Sequence, residues 1–73
     1  MDDAFTRQLK QDVEQLYKQK YGDVFVAFDH IEPTGDNQAY LQVTLSDERG
    51  FITRYYGQAV YQEQALQLRT KAI

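Results

Sequence analysis

Between Asp3 and Tyr21 the apolar residues Phe5, Leu9, Val13, Leu16 and Tyr17 recur at helical spacing, with polar residues filling the intervals. A single apolar stripe on an otherwise polar cylinder predicts an amphipathic helix over 3–21. Asp2 or Asp3 suits the cap that accepts from the free amides at its start, and Gly22 suits the left-handed residue that commonly ends a helix. Asp3 with Arg7 and Glu14 with Lys18 place an acid one turn before a base, as expected of a solvated face.

The pattern then changes period. Val24 to Ile31 is rich in β-branched and aromatic residues and reads as a strand, and Glu32-Pro33-Thr34-Gly35-Asp36-Asn37 supplies turn chemistry after it. Ala39 to Leu45 alternates strictly, with Ala39, Leu41, Val43 and Leu45 on one face and Tyr40, Gln42 and Thr44 on the other. Asp47-Glu48-Arg49-Gly50 fits a type I turn closed by a glycine bulge, and Phe51 to Tyr56 returns as a third strand. After Gly57, the residues Tyr61, Ala65, Leu68 and Ala72 fall on one helical face, with Val60 and Leu66 at its margins, which predicts a second helix.

The expected architecture is α+β: a two-layer sandwich in α-β-β-β-α order, whose three-stranded antiparallel meander carries both helices on one face. The 73 residues suffice for one small domain spanning 1–73. Such a chain hides only about 60% of the surface it exposes when unfolded. Its apolar fraction of 42% is nevertheless too high for a disordered chain.

Composition removes several kinds of chemistry. The absence of cysteine excludes disulfides, thiolate ligands and thiol nucleophiles, and a single histidine leaves no zinc ligand set. No glycine cluster cradles a phosphate, because Gly22, Gly35, Gly50 and Gly57 stand apart between patterned segments. The one serine, Ser46, and the one histidine, His30, fall at opposite ends of the strand pairing, so no catalytic triad is expected. Asp29, Glu32 and Asp36 gather near the first turn without the ligand spacing of a calcium loop and read as turn-forming acids. No catalytic residue, metal site or cofactor is therefore expected.

No apolar run approaches 18 residues and the Met-Asp-Asp-Ala-Phe start lacks a basic, apolar leader, so the expectation is a soluble cytoplasmic protein without a membrane partner. The formal net charge of −3, with Lys and Arg scattered, argues against wrapping nucleic acid. The order helix, three strands, helix is similar to that of the double-stranded RNA-binding domain, but only in topology. Where that family has a lysine cluster at the start of its second helix, this chain has Gln58, Ala59, Val60, Tyr61, Gln62 and Glu63. Where it has a Gly-Pro-X-His motif, this chain has Glu32-Pro33-Thr34-Gly35-Asp36. The groups that contact phosphate and minor groove are missing, so the similarity implies no RNA binding.

One surface stands out. With Gly50 at the bulge of the second turn, Asp47 opposes Phe51, Leu45 opposes Thr53 and Val43 opposes Tyr55, all facing the helices. The alternate set pairs Ser46 with Ile52, Thr44 with Arg54, Gln42 with Tyr56 and Tyr40 with Gln58 on the open face. A one-residue slip would bury Arg54 without a partner, which is costly and favours this register. Tyr40, Ile52, Arg54 and Tyr56, extended by Phe25, are residue types that anchor protein interfaces. The expected function is a non-enzymatic interaction or accessory module that binds a protein partner, or a second copy of itself, through that face. Weak binding of single-stranded nucleic acid by the same aromatics is the alternative.

Overall fold

The structure, a computed structural model, describes residues 4–73. The expected caps Asp2 and Asp3 and the Asp3–Arg7 pair lie outside the described residues. Helix α1 spans Ala4–Tyr21 and buries Leu9, Val13 and Tyr17, which stand one turn apart on its apolar stripe. It ends as its sequence predicts: Gly22 has φ of 84°, and its amide donates to the carbonyl of Lys18 at 2.8 Å. Lys18 also pairs with Glu14 at 2.9 Å on the exposed side.

Four antiparallel strands follow: β1 (Phe25–Gly35), β2 (Gln38–Ser46), β3 (Ile52–Gln62) and β4 (Ala65–Ala72), in sheet order β1-β2-β3-β4. The α+β class holds, but the second helix does not form. Its residues make the latter half of β3 and all of β4, so the three-stranded meander becomes a four-stranded one and only one helix is present among the described residues. With the helix goes the similarity in element order to the double-stranded RNA-binding domain. The helical spacing of Tyr61, Ala65, Leu68 and Ala72 competes with an alternation over the same residues, in which Leu66, Leu68 and Thr70 are half-buried and Ala65, Gln67, Arg69 and Lys71 exposed. The alternation wins because β3 offers a full-length edge for β4 to pair with.

Two local features made this segment misleading. Gly57 does not break the chain but lies inside β3, where it pairs with Leu41 on one side and Thr70 on the other. The β3–β4 turn has no Gly, Asn or Asp at its centre; Glu63 and Gln64 adopt φ of 52° and 67° themselves. Two successive positive φ values make the tight turn that suits a two-residue hairpin, in residues that seldom adopt them.

Strand β1 runs further than its expected end at Ile31, through Pro33 to Gly35. Proline is tolerated because β1 is an edge strand, paired only to β2. A bulge between Phe28 and His30 settles which of its residues face the core. The extra residue, Asp29, shifts the parity, so Val26 and Phe28 before it and Ile31 after it all pack on the same side.

The core is one cluster: Leu9, Val13 and Tyr17 from α1 with Ala39, Leu41, Val43 and Leu45 from β2 and Ala59 from β3. Phe5, Val26, Phe28, Ile31, Tyr55, Tyr61, Leu66 and Leu68 surround it. Leu9, Leu41, Val13 and Val43 are fully buried, each contributing about 1.5–3 kcal/mol. Tyrosine hydroxyls on its margin find partners: Tyr17 with Thr70 at 3.1 Å, Tyr61 with Asp12, and Tyr21 with Tyr55 at 3.2 Å. No buried side-chain polar atom lacks a partner among the described residues.

Candidate functional site

The second hairpin sets the register of the central strands. Gly50 has φ of 89° and donates to the Asp47 carbonyl at 3.1 Å, while the Asp47 carboxylate accepts from the amides of Arg49 and Phe51 at 2.9 and 3.1 Å. This holds Leu45 opposite Thr53, Val43 opposite Tyr55, Ser46 opposite Ile52, Thr44 opposite Arg54, Gln42 opposite Tyr56 and Tyr40 opposite Gln58, the pairing expected from sequence. Tyr55 lies on the helix side, its ring 5.6 Å from that of Tyr17. Tyr40, Ile52, Arg54 and Tyr56 therefore share the other face, termed here the outer face.

Phe25 belongs to the same face, because it pairs with Ser46, which pairs in turn with Ile52. Phe25 and Ile52 are 65% and 63% exposed and flank the small Ser46, so two large apolar side chains stand free on either side of it, about 10 Å apart at strand spacing. Tyr56 is 40% exposed, whereas Tyr40 is half-buried, held by a bond from Gln42 Nε2 to its hydroxyl at 3.0 Å and by the His30 ring at 6.1 Å. The site residues are thus brought to one face but not into one cluster: Tyr40 packs among neighbours, and Ile52, Arg54 and Tyr56 line β3.

The rest of this face lies on β4, in the segment whose spacing predicts a helix. Arg69 pairs with Gln58 and Lys71 with Tyr56, so both join Arg54 on the outer face. On the opposite edge, Asp29 accepts from the Thr44 hydroxyl at 2.5 Å, and Glu32 pairs with Tyr40 and lies 3.6 Å from His30 Nε2. The outer face is therefore divided by charge, with carboxylates on β1 and cations on β3 and β4. Arg54, Arg69 and Lys71 have no ion-pair partner among the described residues. The signal was present in the alternating Ala65–Ala72 segment, had it been read as a strand.

The other candidates from the sequence stay apart. Ser46 lies four positions along β2 from Gln42, the partner of His30, a separation of about 13 Å at strand spacing. That is beyond the reach of proton transfer between them. Asp29 sits at the bulge, Glu32 beside His30 and Asp36 in the first turn. No group of three or more metal-ligating side chains comes together among the described residues. On the helix side, α1 ends before the β2–β3 hairpin does, leaving an open cleft of about 250 Å³ bordered by Tyr21, Leu45, Phe51, Thr53 and Tyr55. No described helix is long and apolar enough to cross a membrane.

Comparison with known proteins finds no matching family model, curated protein or solved structure.

Proposed function

We propose that the chain is a non-enzymatic interaction module that binds a protein partner through the outer face of its sheet. In this reading the fold has two layers, with α1 covering one face of the sheet and the other left as the working surface. The observation that carries the proposal is the exposure of Ile52 and Tyr56 along β3 with Arg54 between them, and of Phe25 on the same face across Ser46. Large exposed aromatic and aliphatic side chains sharing one sheet face with arginine are the residue types that anchor interfaces. Nothing in the geometry favours catalysis, which needs a nucleophile beside a base or a convergent set of carboxylates.

The test is a paired capture experiment with the tagged chain. Ile52→Asp and Tyr56→Ala change exposed positions and leave the helix-side core intact, so they should fold. Both are expected to lose the partners retained by the wild type. An unchanged captured set with both variants would remove the outer face from consideration.

One observation favours a second reading. Arg54, Arg69 and Lys71 make the β3–β4 half of the face locally basic beside Tyr56, despite the formal net charge of −3. Bases of single-stranded nucleic acid stack on such aromatics while cations hold the phosphates. Fluorescence anisotropy with labelled oligonucleotides separates the readings. Binding that is strongest at low salt and lost in Tyr56→Ala supports the nucleic-acid reading, and no binding at low salt ends it.

A further inference from the structure

We infer that the partner of the outer face is a second copy of this chain, packed face to face about a two-fold axis that runs parallel to the strands between β2 and β3. The inference rests on the interaction reading above and adds the occupant and its orientation.

The argument is the in-register division of charge. Reading straight across the outer face, one row runs His30, Gln42, Tyr56, Lys71, with the bulged Asp29 beside it on Thr44, and the next runs Glu32, Tyr40, Gln58, Arg69. A carboxylate occupies the β1 end of the second row and stands beside that of the first, and a cation occupies the β4 end of both. A two-fold axis along the strands exchanges β1 with β4 and β2 with β3 without moving a residue along the strand. It therefore places Lys71 of the second copy over His30, next to the Asp29 carboxylate, and Arg69 of the second copy over Glu32, each contact occurring twice by symmetry. An axis across the strands would instead set β1 over β1 and β4 over β4, acid on acid and base on base.

Side-chain size fits the same axis. Ile52 and Tyr56, the large exposed residues of β3, come to stand over Ser46 and Gln42 of the second copy, and Tyr40 over Gln58. Large residues then meet small or polar ones on both sides of the axis. Such packing keeps the strands of the two sheets within about 30° of each other and the sheets about 10 Å apart.

The area sets the class of interface. At about 4.8 Å between strands and about 3.3 Å per residue, β2 over β3 overlaps along the nine residues of β2 and β1 over β4 along only the six level with Gln38–Val43, a face of roughly 480 Å². The pair would bury roughly 950 Å², below the standard size of a specific interface, as in a weak and transient dimer.

The experiment uses charge reversal on the full chain, read by sedimentation equilibrium at low salt from about 10 μM to about 1 mM, a range that brackets the affinity of so small a face. The wild type is expected to pass from monomer to dimer. Glu32→Arg and Arg69→Glu should each weaken the dimer about tenfold, because each sets like charges against each other twice, and the effect should shrink in high salt. An equal mixture of the two variants should recover wild-type affinity as a heterodimer, since the two substituted positions then meet with opposite charges, as do the unaltered Glu32 and Arg69. Recovery also shows that both variants fold. A wild type that stays monomeric at about 1 mM, or a dimer that both reversals leave unchanged, overturns the inference. So does a mixture no stronger than its components. The capture experiment with Ile52→Asp and Tyr56→Ala judges the interaction reading separately, so a failure of the second-copy inference alone is recognisable.

Discussion

Gly57 on β3 and Thr70 on β4 face each other too closely to admit a side chain: a Cβ built on Gly57 would lie 2.8 Å from the Cα of Thr70 and nearer still to the carbonyl oxygen of Arg69. The contact is backbone against backbone, so no rotamer change relieves it. Gly57→Ala is expected to push β4 away and to cost about 3 kcal/mol or more, combining overpacking with the φ of 154° that glycine holds there. A domain of this size holds a net stability of roughly 3–5 kcal/mol, so the variant should be largely unfolded by circular dichroism. A loss under about 1 kcal/mol in urea titration would show that β4 does not approach so closely.

The β3–β4 turn should be improvable. Glu63 and Gln64 hold positive φ values that Asn and Gly adopt with little strain. Glu63→Asn with Gln64→Gly is therefore expected to raise stability by about 1 kcal/mol, seen as a higher urea midpoint at unchanged slope. No gain, or a loss, would contradict the turn geometry.

Alkaline pH should unfold the domain through its tyrosines. Burial holds the Tyr61 hydroxyl well above its usual range, and its bond to Asp12 adds to the shift. Burial raises Tyr17 as well. Tyr55 is pushed up to about 12, mainly by its hydrogen bond to Tyr21, and Tyr21 is lowered by that same bond. A tyrosine whose folded pKa lies above its unfolded value of about 10 contributes stability that is fully present below that pH. That contribution is lost as pH rises through the folded value. The fall from Tyr17, Tyr55 and Tyr61 outweighs the opposite contribution of Tyr21, so the urea midpoint should hold steady to about pH 10 and drop beyond it. Tyr61→Phe should lose about 0.5–1.5 kcal/mol at neutral pH, for the missing hydrogen bond, and show a shallower alkaline fall. An unchanged alkaline profile would mean that Tyr61 is not held protonated by Asp12 and burial.

Helix α1, its Gly22 stop, the strict alternation of β2 and the Asp47–Gly50 hairpin were legible because pattern and turn chemistry agree at each. The register across that hairpin followed from Gly50 and from the penalty of burying Arg54, and with it the placing of Ile52, Arg54 and Tyr56 on one face. Beyond Gly57 the two kinds of signal diverge. Glycine commonly marks a turn, but here it serves a close strand approach, and the true turn sits at Glu63 and Gln64, which carry no turn signature. Without that turn the alternation of Leu66, Leu68 and Thr70 had no partner strand and gave way to the helical spacing of Tyr61, Ala65, Leu68 and Ala72. The cations Arg69 and Lys71 were lost from the outer face for the same reason. The bulge at Asp29 was likewise hidden, since an unpaired residue reveals itself only against a partner; it lets Phe28 and Ile31, of opposite parity in the sequence, both pack on the core.

The central claim is that the outer face is covered when the protein acts, and hydroxyl-radical footprinting in intact cells tests it most directly. Phe25, Ile52 and Tyr56 lie on the outer face, whereas Phe51 borders the cleft on the helix side and serves as an internal reference, being 69% exposed. Relative to the purified chain at low concentration, labelling of Phe25, Ile52 and Tyr56 is expected to fall several-fold in cells while Phe51 keeps its reactivity. Equal labelling of all four residues in both settings, in proportion to their exposure, would contradict the account.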